Sequence, residues 1–102
     1  CSTIHLGKDC FITSDKSIMK SLDSAGIECE YLSPEGIILK GCRHGLLGGT
    51  AGVLGDKLFL CGNADFYPEG TALRHITEAR NITLIELYEG PLIDCGGIFF
   101  CE

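Results

Sequence analysis

One order of predicted elements occurs twice in the sequence, and this repeat constrains the fold more than any other feature. The first copy predicts strand, helix, strand and strand in the segments CFITSD (10–15), KSIMKSLDSAG (16–26), IECEYL (27–32) and EGIILKG (35–41). The second copy predicts the same order in KLFLCGN (57–63), GTALRHITEARN (70–81), ITLIELY (82–88) and EGPLIDCGGIFF (89–100). Two tandem units describe the chain more simply than one irregular domain does.

The predicted helices carry recognisable ends and faces. In the first helix, Ser14 or Asp15 can cap the start and Gly26 can end it. Its apolar face combines spacings of three and four residues and consists of Ile18, Met19, Leu22 and Ala25. In the second helix, Leu73 and Ile76 are predicted to point inward. His75, between them, is predicted to lie at the surface.

Helices that alternate with strands predict an α/β fold with a partly parallel sheet. Residues 1–102 are then a single domain or a fragment, with module one at about 9–50 and module two at about 56–102. Two such units alone leave open sheet edges. The sequence therefore predicts a homo-oligomer or association with a missing N-terminal part.

Charge and hydropathy exclude some classes of partner. The net charge of −6 removes the basic surface that nucleic-acid binding requires. No apolar run approaches the length of a membrane span, and no secretory leader is visible. We therefore expect a cytoplasmic protein with neither a nucleic-acid nor a membrane partner. Cys1 followed by Ser2 leaves one alternative open, the mature end of a lipoprotein.

The chain contains seven cysteines, an odd number that favours reduced thiols over a disulfide framework. Several stand in apolar strands, where a free cysteine packs as a small hydrophobic residue. A metal site would need ligands from the set Cys42, His44, Cys61, Cys95 and Cys101. Their spacing lacks the paired ligands typical of zinc sites, so the sequence predicts no metal and no cofactor.

The repeated strand-helix-strand modules, the segment EGIILK and the C-terminal strand CGGIFF resemble the pentein, or guanidine-modifying enzyme, superfamily. More narrowly, the chain resembles the C-terminal portion of an uncharacterised bacterial family of that fold. The resemblance implies an α/β propeller in which five modules surround a central axis, so that this chain supplies two of the five. It also implies a cysteine nucleophile, a histidine that moves protons and carboxylates that hold a guanidinium group.

Two positions depart from the superfamily pattern. The segment that carries its histidine matches IILKG (37–41), which places Ile38 at that position. The strand that carries its cysteine matches GGIFF (96–100), which places Gly97 at the nucleophile's position, with Cys95 two residues upstream on the same predicted strand face. The sequence therefore predicts that the fold is kept and the chemistry is lost.

The other candidates are a thiol-imidazole pair and a glycine-rich loop. Cys42 and His44 share a face if their segment is extended, and Arg43 would favour a thiolate. Most such pairs instead come together from distant segments. The stretch GGTAGVLGD (48–56) could cradle a phosphate, but it lacks the lysine of a P-loop and is better explained by tight turns.

Carboxylates at predicted turns could hold a small guanidine or amine ligand, with Glu35, Glu89 and Asp94 as the candidates. The leading hypothesis is a non-catalytic, pentein-like domain with a role in ligand binding or assembly. The alternative is a thiol-dependent hydrolase or transferase acting on guanidine or amidine substrates through Cys95, or through Cys42 with His44.

Overall fold

The computed structural model describes residues 3–6, 10–39 and 45–94, and its elements follow one order twice. The first unit consists of β1 (Thr3–Leu6), β2 (Cys10–Thr13), α1 (Lys16–Ser24) and β3 (Glu28–Tyr31). The second unit consists of β4 (Ala51–Leu54), β5 (Lys57–Leu60), α2 (Gly70–Ala79) and β6 (Thr83–Glu86). Short 3₁₀ turns precede β4 and α2, at Leu47–Thr50 and Ala64–Phe66.

Each unit forms its own mixed sheet of three strands among the described residues. Sheet 1 has the order β1-β2-β3, and sheet 2 has the order β4-β5-β6. In both sheets the first pair of strands is antiparallel and the second pair is parallel. The predicted α/β class with partly parallel pairing is therefore confirmed.

The leading strand of each unit was not predicted. Thr3–Leu6 alternates buried and more exposed side chains, as a half-buried strand does, but four residues give a weak pattern. Ala51–Leu54 contains a glycine and follows two more, which the sequence analysis explained as tight turns. A turn is present at Gly55, where the backbone has φ +61°.

Helix α1 begins and ends as its sequence predicts. Asp15 caps α1, because its side chain accepts hydrogen bonds from the backbone N–H groups of Ser17 and Ile18. Gly26 follows the helix with φ +76°, and the Ile27 N–H reaches back to the Leu22 carbonyl at 2.9 Å. This arrangement is a Schellman end.

Helix α2 ends in the same way, although asparagine replaces glycine. Asn81 has φ +56°, and the Ile82 N–H donates to the Thr77 carbonyl at 2.9 Å. Asparagine is one of the few residues that tolerate this left-handed conformation. The two units therefore match in strand order, strand direction and helix end.

Helix α2 forms ion pairs with both sheets. Arg74 pairs with Glu86 on sheet 2 at 2.9 Å, and Arg80, at the end of the same helix, pairs with Glu28 on sheet 1. Leu73 is fully buried, and Ala72 and Ile76 pack against the core. The core is therefore shared by both units, with side chains from both sheets and from α2.

The fourth strand predicted for each unit is reduced to one residue within the described part of the chain. Ile38 and Ile93 form an isolated parallel bridge. The Ile38 N–H donates to the Leu92 carbonyl, and the Asp94 N–H donates to the Ile38 carbonyl, both at 2.8 Å. We call this bridge and its flanking residues 37–39 and 92–94 the seam, because it joins the segments that follow β3 and β6.

Three cysteines lie in the described residues, and all three are free thiols. Cys10 and Cys29 are buried in sheet 1, as expected for small hydrophobic residues, while Cys61 is half-buried after β5. Of the two described helices, neither is long and apolar enough to cross a membrane.

Candidate functional site

The candidate catalytic residues Cys42, His44 and Cys95 lie outside the described residues, as does Gly97. Ile38, which stands where the superfamily pattern has its histidine, is described. Its side chain is 48% exposed, at the seam. The seam therefore presents an apolar side chain at the position where an enzyme of that pattern needs a proton carrier.

Asp94 lies at the seam and fastens it to the segment 45–49. Its Oδ2 accepts a hydrogen bond from the Leu46 N–H at 2.9 Å. The carboxylate packs so closely against Gly45 and Gly49 that a Cβ at either position would collide with it. The Asp94 side chain thus explains the glycines at positions 45 and 49 without a phosphate ligand.

Glu35 and Glu89 are exposed and lie in turns that follow β3 and β6. The Glu35 N–H donates to the Ser33 hydroxyl at 3.2 Å. Gly90, next to Glu89, is covered by the Tyr88 ring. Glu35 and Glu89 thus occupy similar turns in different units, and Asp94 makes its contacts at the seam.

A polar cluster that the sequence analysis did not identify surrounds Arg74. The Arg74 guanidinium contacts Asp65 at 3.0 Å and Glu86 at 2.9 Å. The Glu86 carboxylate also accepts a hydrogen bond from the Ala64 N–H at 2.7 Å. These contacts tie the nine-residue connection between β5 and α2 to the helix and to β6. Glu86 offered one signal in the sequence, as a charged residue inside the apolar strand ITLIELY.

The same connection also fastens unit two to unit one. The Tyr67 hydroxyl donates to the Ser33 carbonyl, and Glu69 accepts the Ser33 N–H at 3.2 Å. Burial raises the pKa of Tyr67, and the nearby Glu69 carboxylate adds to the rise. Tyr67 is therefore a protonated donor at every physiological pH, and its role is to hold the two units together.

The buried thiols of sheet 1 are poor nucleophiles. Burial raises the pKa of Cys10, although the guanidinium of Arg80 opposes part of the rise. Burial also raises the pKa of Cys29, and Glu30 adds to it. Because the thiolate is the reactive form, the raised pKa of both side chains favours the less reactive thiol at neutral pH.

The remaining candidate is an apolar surface on sheet 2, on the side away from α2. Side chains alternate across a strand, and Glu86, which meets α2, lies on the inner side with Leu58 and Leu60. The opposite side, which we call the outer face, carries Lys57 and Thr83 together with the apolar side chains of Leu54, Phe59, Ile85 and, directly after β6, Leu87. Leu54 is 42% exposed and Leu87 is 53% exposed.

On the matching side of sheet 1, Glu28 and Glu30 are exposed, but the apolar side chains are buried. Leu6 ends β1 as Leu54 ends β4, and it is 1% exposed. Leu32 follows β3, and its N–H donates to the Thr13 carbonyl. In the same way, Leu87 follows β6, and its N–H donates to the Leu60 carbonyl. Leu32, however, is only 2% exposed. At this side of sheet 1, Arg80 at the end of α2 pairs with Glu28 and lies beside the Cys10 thiol, and Leu6 and Leu32 belong to the core that both units share.

Comparison with known proteins gives one match. Residues 1–99 match the model of a family described as a family of unknown function (DUF6873). No match was found among the curated proteins or the solved structures.

Proposed function

We propose that this chain, which belongs to the family of unknown function DUF6873, is a non-catalytic, pentein-like α/β domain with a role in assembly. The observation that carries the proposal is the contrast between two equivalent sheet faces. One buries Leu6 and Leu32, and the other exposes Leu54 and Leu87.

The duplicated topology supports the pentein-like part of the proposal. Both units have the order β-β-α-β, with one antiparallel and one parallel strand pair. Ile38 and Ile93 follow the third strand of their units at the same distance and pair with each other. Two consecutive modules of a propeller built from such units would repeat in this way.

The chemistry of the described residues supports the non-catalytic part. Ile38 has no group that could transfer a proton, and burial raises the pKa of the thiols of Cys10 and Cys29. Asp94 uses its carboxylate to bind Leu46. Glu35 and Glu89 lie in separate turns, so binding of a guanidine or amine there has less support than assembly.

The non-catalytic role is tested by labelling the folded protein with a haloacetamidine at neutral pH and locating the adducts by mass spectrometry. We expect slow labelling that follows exposure, with Cys61 ahead of Cys10 and Cys29. Rapid, saturable capture of one cysteine would contradict the proposal.

The assembly role is tested by sedimentation velocity and by binding of the dye anilinonaphthalene sulfonate. An accessible apolar surface binds the dye or promotes association. We expect both self-association and dye binding to fall in the variant Leu54→Glu/Leu87→Glu, with the unfolding transition retained. A wild-type protein that stays monomeric and does not bind the dye would contradict an assembly role.

A second candidate function is a thiol-dependent hydrolase or transferase acting on guanidine or amidine substrates. One contact favours it, because Gly45 packs directly against Asp94. His44 precedes Gly45 and Cys95 follows Asp94, so each residue is one peptide bond from that contact. Selective labelling of Cys95 that is lost in His44→Ala, with Cys61 labelling unchanged, would favour this function over the first.

A further inference from the structure

We propose that the edge of β6 pairs with β6 of a second copy of this chain, as antiparallel strands related by a two-fold axis at Ile85. The inference rests on the proposed assembly role and names the surface, the partner and the register. Pairing of this kind joins the two copies of sheet 2 into one continuous sheet across the axis.

The first step is the pattern of backbone groups along β6. The N–H groups of Thr83 and Leu87 donate toward β5, and in a parallel pair the residues that face the neighbouring strand alternate. The backbone N–H and C=O groups of Leu84 and Glu86 therefore point away from sheet 2. Within the described part of the chain, these backbone groups have no hydrogen-bond partner. They are the donors and acceptors that another β-strand would satisfy.

The second step is a comparison of the sheet edges. The edge strands β1 and β4 contact each other, so these two edges meet inside the molecule. The edge strand β3 carries Glu28 and Glu30, which are both exposed, and charged side chains protect an edge from pairing with another strand. At the equivalent positions β6 has Thr83 and Ile85. These are β-branched residues that favour a strand and carry no charge.

The third step is the register, which the unpaired groups fix. Leu84 of one copy can pair with Glu86 of the other, and Glu86 with Leu84, only when Ile85 lies at the two-fold axis. All the outward N–H and C=O groups of both residues are then used. The two Ile85 side chains face each other at a non-hydrogen-bonded site, where cross-strand side chains are closest. Thr83 of one copy lies opposite Leu87 of the other.

The fourth step is the charge at the axis. Glu30 occupies the position in β3 that Ile85 occupies in β6. The same two-fold pairing of β3 would set two carboxylates against each other, which destabilises a strand pair. The carboxylate within β6 is Glu86, and Arg74 binds it at 2.9 Å on the inner side of sheet 2. Pairing through β6 therefore brings no unpaired charge to the axis.

The experiment measures self-association of the chain by sedimentation equilibrium, with a reductant present so that disulfide-linked species do not form. We expect a concentration-dependent equilibrium between monomer and dimer. Ile85→Glu, which gives β6 the residue that β3 carries, should raise the dimer dissociation constant by roughly tenfold or more, and Ile85→Lys should do the same. An equimolar mixture of the two variants should recover association, because opposite charges then face each other across the axis. Circular dichroism and urea unfolding check that each variant is folded.

Leu54→Glu is the matched control. Leu54 lies on the outer face, but on β4, which β5 separates from β6. This variant should leave the dissociation constant unchanged. The loss of self-association expected for Leu54→Glu/Leu87→Glu then comes from Leu87, which lies beside the axis.

Four results would overturn the edge pairing. Unchanged association of Ile85→Glu, or folded charge variants that do not associate when mixed, would show that Ile85 does not meet its copy. If Leu54→Glu weakens association as much as Ile85→Glu does, the copies meet through the outer face and the assembly role stands. A wild-type chain that stays monomeric but binds the dye would also remove the edge pairing alone. A monomeric chain that does not bind the dye would remove both proposals.

Discussion

The two units have one topology but different surroundings. Helix α2 buries Gly70, Leu73 and Thr77 and contacts both sheets, whereas none of the nine described residues of α1 is buried. The connection that leads into α1 has two residues, and the connection that leads into α2 has nine. Identical strand order thus does not imply identical burial, because each unit's stability depends on which of its faces the other unit covers.

The largest expected effect compares two leucines at equivalent strand ends. Leu6→Glu places a carboxylate in the core, where an unpaired charge costs roughly 3 to 5 kcal/mol. The protein should therefore unfold or lose most of its stability. Leu54→Glu should change the free energy of unfolding by less than about 0.5 kcal/mol, as exposed substitutions do. Urea unfolding of both variants gives the measurement. Similar losses at the two positions would mean that the outer face of sheet 2 is covered after all.

A smaller difference should separate the two helices. Leu73→Ala removes a fully buried side chain and should cost about 2 to 5 kcal/mol. Ile18 occupies the equivalent position in α1 but is only half-buried, so Ile18→Ala should cost about 1 kcal/mol. Thermal or urea unfolding measures both. An equal cost would show that α1 contributes as much to the core as α2 does.

The helix ends offer a comparison of about 1 kcal/mol. Gly26→Ala forces a side chain into a left-handed backbone and should cost about 1 to 2 kcal/mol, even though space surrounds the position. Asn81→Gly relieves the same constraint and should raise stability by a few tenths of a kcal/mol or leave it unchanged. If the two substitutions shift the urea midpoint in the same direction, the helix ends are not equivalent.

The smallest effect comes from the titration of the buried thiols. Among the described residues, these thiols lie only in unit one. Because burial raises the folded pKa of Cys10 and Cys29 above the ordinary value of 9.0, the unfolded chain loses these protons first. Stability is then fully present below about pH 9 and falls as the pH rises above it. The double variant Cys10→Val/Cys29→Val should flatten this fall in unfolding measurements from pH 8 to pH 10. A fall that persists unchanged would assign it to other groups.

Much of this architecture could be predicted from the sequence, and the exceptions have physical causes. The helices were predicted because local signals define them, namely the Asp15 cap and the Gly26 end of α1 and the apolar spacing in both helices. The strands β1 and β4 were not, because four-residue strands derive their stability from pairing with neighbours. The sequence showed the repeat but could not show which face each sheet buries, because that depends on how the two units pack around their shared core.

The candidate site was predicted only in part. Asp94 was identified as a carboxylate at a strand end, but its fastening to Leu46 depends on a contact between residues 48 positions apart in the chain. The Arg74 cluster and the outer face of sheet 2 were missed, since both arise from tertiary placement of ordinary residues. The role of Cys42, His44 and Cys95 remains a prediction.

The position of α2 also has a consequence for how the chain folds. The helix can complete its packing only when both sheets exist, because Arg74 holds one sheet and Arg80 holds the other. Contacts within each sheet are local, whereas those between α2 and sheet 1 close a long loop, which is slower to form. The rate-limiting event in folding is therefore expected to be the docking of two preformed halves, with α2 as the element on which that event depends.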